Sequence, residues 1–185
     1  MHRIICFFRL LAEILVCWRP PKEPAYFQGF PQVICAVSFG SEPHNASNQH
    51  LAEVTALARA LYGVPALMQH EIFCARELGG MLSPVCDIFH PHFVYINTAQ
   101  VVEAMVNVCR AQGWDRVLIV CHQAHFWRIA KLFRKYDHNL LILFAERASN
   151  TPYAFDDPQL WVRSRALWIL REIPTRIYSF HKGWI

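Results

Sequence analysis

Apolar residues follow two rhythms along this chain. Short unbroken runs occur at Val33 to Phe39, Val117 to Cys121 and Leu140 to Phe144. They are rich in β-branched residues, as expected for strands buried on both faces of a parallel sheet. Between them, apolar positions recur every three or four residues, the spacing of helices with one buried face. Strand, helix and strand within some thirty residues make a βαβ unit, which implies a parallel sheet. The pattern predicts an α/β fold: a Rossmann-like three-layer sandwich with a mostly parallel sheet of about five strands.

The punctuation supports this reading. A helix is predicted from about Gln49 to Tyr62, with Leu51, Val54, Leu57, Ala58 and Leu61 inward and Ser47 or Asn48 as cap. Gly63-Val64-Pro65 stops it, and Ala66 to Phe73 reads as a second strand. Cys74 to His92 reads as an irregular excursion, and Phe93 to Ile96 as a short strand. Asn97-Thr98-Ala99-Gln100 fits a capping box, opening a helix that Gly113 closes. A further helix runs from about Ala124 to Tyr136. The last one starts at Asp157-Pro158, places Trp161 and Trp168 on one face, and ends at Pro174.

The 185 residues suit one domain with a full core. Residues 1–24 read as an amphipathic helix (Ile4, Phe8, Leu11 and Leu15 on one face) followed by a proline-rich linker. Residues 25–185 read as the single domain. Arg3, Arg9 and Glu13 interrupt the first segment, so no run there approaches the roughly 20 apolar residues of a membrane span. Packing on the domain, contact with a membrane surface or contact with a partner all remain open for it.

A hydrophobic fraction of 54% excludes a disordered chain. The net charge of +4 is scattered, without a basic run of the kind that binds nucleic acid, so no nucleic-acid partner is expected. Seven cysteines without a CxxC pair sit mostly in apolar runs and read as reduced thiols in a cytoplasmic setting. The oligomeric state is not readable from the pattern.

In a parallel sheet, ligands bind beyond the carboxyl ends of the strands. That rule selects Gly40-Ser41-Glu42, Asn97-Thr98, the turn His122 to His125, and Glu146-Arg147. Gly40 is either a plain strand-ending turn or a place where backbone N–H groups approach an anion. Asn97 and Thr98 either cap a helix or touch a ligand. His122, His125 and Arg128 form the best constellation. Two imidazoles and a guanidinium at a sheet edge can bind an anion or exchange a proton near neutral pH. The competing reading packs His122 in its turn and pairs Arg128 with a surface carboxylate. A metal shared by His122 and His125 and completed by Asp87 or Glu71 is a third reading, in a chain that also holds His90-Pro91-His92, although no spacing matches a specific metal motif.

Tyr95-Ile96-Asn97-Thr98, the strand ending Leu118-Ile119-Val120, and His125-Phe126-Trp127-Arg128-Ile129-Ala130 together resemble the SanA/YdcF/ElyC family. Its members show an Asn-Thr helix start and a histidine followed three residues later by arginine. The likeness spans roughly Val33 to Phe144. It implies a Rossmann-like fold, links to bacterial envelope biogenesis and, for one member, S-adenosylmethionine binding.

The expectation is a protein that binds, and on the enzyme reading acts on, a small anionic molecule, phosphate-bearing or nucleotide-like. His125 and His122 would be catalytic; Gly40, Ser41, Asn97, Thr98 and Arg128 would bind the ligand. The alternatives are a non-catalytic interaction protein using its terminal helices and a metal-dependent hydrolase.

Overall fold

The computed structural model describes residues 29–75, the backbone of 86–88, and residues 97–183. The expected N-terminal helix and the Phe93 to Ile96 strand lie outside these residues. Four strands form the body of the sheet: β1 (Val33–Ala36), β2 (Ala66–Gln69), β4 (Arg116–Val120) and β5 (Leu141–Phe144). A three-residue strand, β3 (Cys86–Ile88), adds an edge within the stretch expected to be irregular. The order is β3-β2-β1-β4-β5, and every neighbouring pair is parallel. The fold is α/β, a Rossmann-like sandwich.

The order explains where a site can form. The chain winds outward from β1 to β3, then returns to the other side of β1 to make β4 and β5. A crevice opens where the winding reverses, beyond the carboxyl ends of β1 and β4. Val33 to Ala36 are completely buried, as are Val117, Ile119 and Val120. These runs therefore form a rigid floor under the loops that follow them.

The helices are α1 (Ala46–Tyr62), α2 (His70–Cys74), α3 (Thr98–Gln112), α4 (Gln123–Tyr136) and α5 (Arg165–His181). The capping box on α3 is present: the Asn97 side chain accepts from the Gln100 amide, and Gln100 accepts from the Asn97 amide. Gly113 closes α3 in the left-handed region, at φ 69°.

Several expectations are corrected. The strand expected over Val33 to Phe39 stops at Ala36: the Val37 amide still reaches the Val120 carbonyl, but Gln69 and Asn48 side chains take the amides of Ser38 and Phe39. The α1 cap is Asn45, whose side chain accepts from the Asn48 amide. Leu57 and Leu61 are exposed, since the buried stripe runs through Leu51, Val54, Thr55 and Ala58. The strand expected over Ala66 to Phe73 turns into α2 at His70. Asp157-Pro158 does not open the last helix. A short 3₁₀ turn, Leu160–Val162, intervenes and holds Trp161, so Trp161 and Trp168 belong to different elements. Pro174 lies inside α5 and does not end it. It forfeits the hydrogen bond to the Leu170 carbonyl, and both residues are exposed.

Candidate functional site

The winding reversal opens into a cavity of about 970 Å³. Its wall includes Gly40, Ser41, Asn97, Thr98, His125 and Arg128. Six of the seven residues expected to be catalytic or to bind the ligand thus meet at one rim, although they come from three separate segments of the chain.

His122 is not part of that wall. It is fully buried and stacks on Phe39, with ring centroids 3.9 Å apart. Its Nδ1 accepts the Ala124 amide at 3.2 Å and so caps α4. That bond requires an unprotonated Nδ1. Burial lowers the His122 pKa to about 3, partly opposed by the Thr151 backbone. The expected catalytic role for His122 gives way to a structural one.

His125 stands one turn into α4 and faces the cavity. The Arg128 guanidinium donates to His125 Nε2 at 2.8 Å, and Thr98 Oγ1 lies 3.4 Å from the same nitrogen. Arginine is only a donor, so Nε2 is the acceptor and the ring proton sits on Nδ1. Burial, then the charge of Arg128, then His122, Arg176 and Arg171, hold the His125 pKa well below its ordinary value. His125 is therefore a neutral imidazole near pH 7. Its Nδ1 is buried and has no hydrogen-bond partner among the described residues.

Arg128 is fixed by a charged group that sequence reasoning missed. Glu172, on α5 and 1% exposed, lies 3.5 Å from Arg128 and 3.1 Å from Arg176. Arg176 is completely buried, with its guanidinium 4.2 Å from the centre of the Trp127 ring. Trp168 locks α5 to α4 by donating to the Ala124 carbonyl at 3.2 Å, and it meets His125 edge-on. Two guanidinium groups thus share the Glu172 carboxylate beside the cavity. The signal was present in the i, i+4 pair Glu172 and Arg176, but the reading ended the helix at Pro174, between them.

The Gly40 turn is already occupied by protein. Gly40 has φ 101°, and a Cβ there would lie 2.4 Å from the Asp157 carboxylate and 2.7 Å from the Asn45 amide nitrogen. Buried Asp157 accepts from the Glu42 amide and the Asn45 side chain with one oxygen, and from the Gln159 amide with the other. With Ser38, Phe39 and Glu42 amides all bound by side chains, the loop is a locked turn more than an open anion cradle. Gly40→Ala should cost roughly 1–3 kcal/mol from backbone strain and the clash with Asp157. Chemical denaturation checks this; an unchanged midpoint would refute the locked-turn account.

Comparison with protein families, with curated proteins and with solved structures finds no match. The site therefore stands on its own geometry.

Glu42, Glu71 and His70 also line the cavity. Glu71 follows β2, and His125 follows β4, so their loops start two strand spacings apart, about 10 Å. No three His, Cys, Asp or Glu side chains converge as a metal site among the described residues. His90 and His92 lie outside the described residues.

Proposed function

We propose that the cavity binds a small anionic molecule, phosphate-bearing or nucleotide-like, held by Arg128. The observation that carries this reading is Arg128 itself, which lines the cavity with its side chain 13% exposed and its buried Nε without a hydrogen-bond partner among the described residues. An anion beside Arg128 would accept from that guanidinium in a poorly solvated place, where charge-assisted hydrogen bonds are strongest. The likeness to the SanA/YdcF/ElyC family favours the same region, with S-adenosylmethionine as one ligand to test and envelope biogenesis as the setting.

His125 would serve this ligand as a neutral group. When an anion draws the Arg128 guanidinium toward itself, Nε2 is released to accept a hydrogen bond or a proton. Thr98 positions the ring, and Ser41 and Asn97 complete the rim. A catalytic step belongs to this reading only through His125.

The test is the melting temperature of the protein with inorganic phosphate, sugar phosphates, nucleotides and S-adenosylmethionine, because a ligand of the native state raises it. Arg128→Met keeps the aliphatic stem and removes the charge. It should weaken binding of the responding ligand by about 30-fold or more, as expected for a lost charge-assisted bond. The fold should survive, since Glu172 keeps Arg176. An Arg128→Met protein that still responds as the wild type does would sink the proposal.

A further inference from the structure

A second guanidinium lines the cavity, and the account above leaves it without a task. Arg171 stands on α5, whereas Arg128 stands on α4. Arg171 is partly buried and is held in place without a carboxylate. Its guanidinium carbon lies 4.9 Å from the centre of the Trp161 ring, and its Nη1 donates to the Thr175 hydroxyl. That hydroxyl donates in turn to the Arg171 carbonyl at 2.8 Å. Trp161, Arg171 and Thr175 all belong to the cavity wall. Among the described residues no Asp or Glu forms an ion pair with Arg171, and its neighbour Glu172 is taken by Arg128 and Arg176. Its Nε and Nη2 have no hydrogen-bond partner among the described residues. These two nitrogens form one side of the guanidinium fork, the side that grips a phosphate or carboxylate with two parallel hydrogen bonds. Stacking on an indole holds the plane of that fork before a ligand arrives.

We propose that Arg171, held against Trp161, forms a second anion subsite in this cavity, so that the ligand carries two separate anionic groups, as a diphosphate or a triphosphate does. The inference rests on the reading of Arg128 as the contact for the first group. The volume fits, since about 970 Å³ suits a ligand larger than one phosphate. The position fits as well. Burial is the largest cause of the low His125 pKa, and the charges of Arg128 and Arg171 both add to it, so the two guanidinium groups act on the same space. Glu42 and Glu71 line the cavity after β1 and β2. Like charge keeps a ligand anion away from them and leaves the α5 wall for the second group.

Isothermal titration calorimetry of the full chain with inorganic phosphate, pyrophosphate and tripolyphosphate tests this. The two longer anions differ in the spacing of their end groups. At least one should bind about tenfold or more tightly than phosphate, as one added charge-assisted contact allows. Arg171→Met should remove that advantage and leave phosphate binding within about twofold of the wild type, as expected for separate contacts. Arg171→Lys keeps the charge but lacks the planar fork, so it should recover only part of the advantage. Arg171 makes no ion pair among the described residues, so both variants should melt near the wild type without ligand. Arg128→Met should weaken phosphate and the longer anions alike. The two readings fail differently. Phosphate binding that ignores Arg128→Met removes the first subsite. Longer anions that bind Arg171→Met as they bind the wild type remove the second and leave Arg128 alone. So does an Arg171→Met protein that loses phosphate and the longer anions equally. A wild type that binds none of the three, or all three with one affinity, overturns the proposal outright.

Discussion

Glu172→Gln should be among the most damaging single substitutions outside the apolar core, costing about 3–5 kcal/mol. The charge count gives the reason. In the wild type one carboxylate serves two guanidinium groups, Arg128 with its side chain 13% exposed and Arg176 with none. Glutamine keeps the shape and an acceptor oxygen but removes the negative charge. Both guanidinium groups then lose the carboxylate they share, in a site that water barely reaches. For a chain of this size the melting temperature should fall by roughly 10 °C. A second substitution separates charge from shape. Arg128→Met added to Glu172→Gln restores the net charge of the cluster, so the double variant should be more stable than Glu172→Gln alone. Thermal and urea denaturation of the two single variants and the double variant give the coupling directly. Purely additive losses would mean that the three side chains do not act as a unit.

That cluster also marks the limit of what the sequence reveals. β1, β4 and β5 are legible because each lies in a continuous apolar run, whereas β3 falls inside the stretch that read as irregular. The α3 helix is legible because Asn97, Gln100 and Gly113 state its ends chemically. The rim is legible because topology, not local pattern, brings strand ends together, and the positions of Gly40, Thr98 and His125 follow from it. The α5 helix is not legible by the same logic. Its inward face is charged, so a search for an apolar stripe finds the solvent side, and the proline inside it imitates a stop. Glu172 gains its meaning from Arg128, 44 residues earlier, and no periodicity reports such a pairing. Asp157 misleads for a related reason. Asp-Pro is a good helix start, but here the carboxylate reaches back across the chain to fill the space under Gly40.

His122 has the opposite character: its residue type suggested chemistry, and its environment makes it structural. From this follows a large dependence of stability on pH. In the unfolded chain a histidine takes up a proton near pH 6.5, whereas folded His122 resists one until about pH 3. Between those values the unfolded state binds more protons than the folded state. Stability is therefore greatest above pH 6.5 and is lost as pH falls through the window, at about 1.4 kcal/mol per pH unit for this residue. His125 is shifted in the same direction by burial and by Arg128, and it adds to the slope below its ordinary value. Urea denaturation at pH 7 and pH 5 should differ by about 2–4 kcal/mol, in a range where carboxylates of ordinary pKa hardly titrate. The mechanism is specific, because protonating Nδ1 of His122 would remove the acceptor that caps α4 while placing a charge against Phe39. His122→Asn offers a side-chain oxygen in its place. That variant should lose about one proton's worth of slope between pH 7 and 5. If its slope equals that of the wild type, the acid sensitivity arises elsewhere, and His122 does not hold this helix start as a neutral cap.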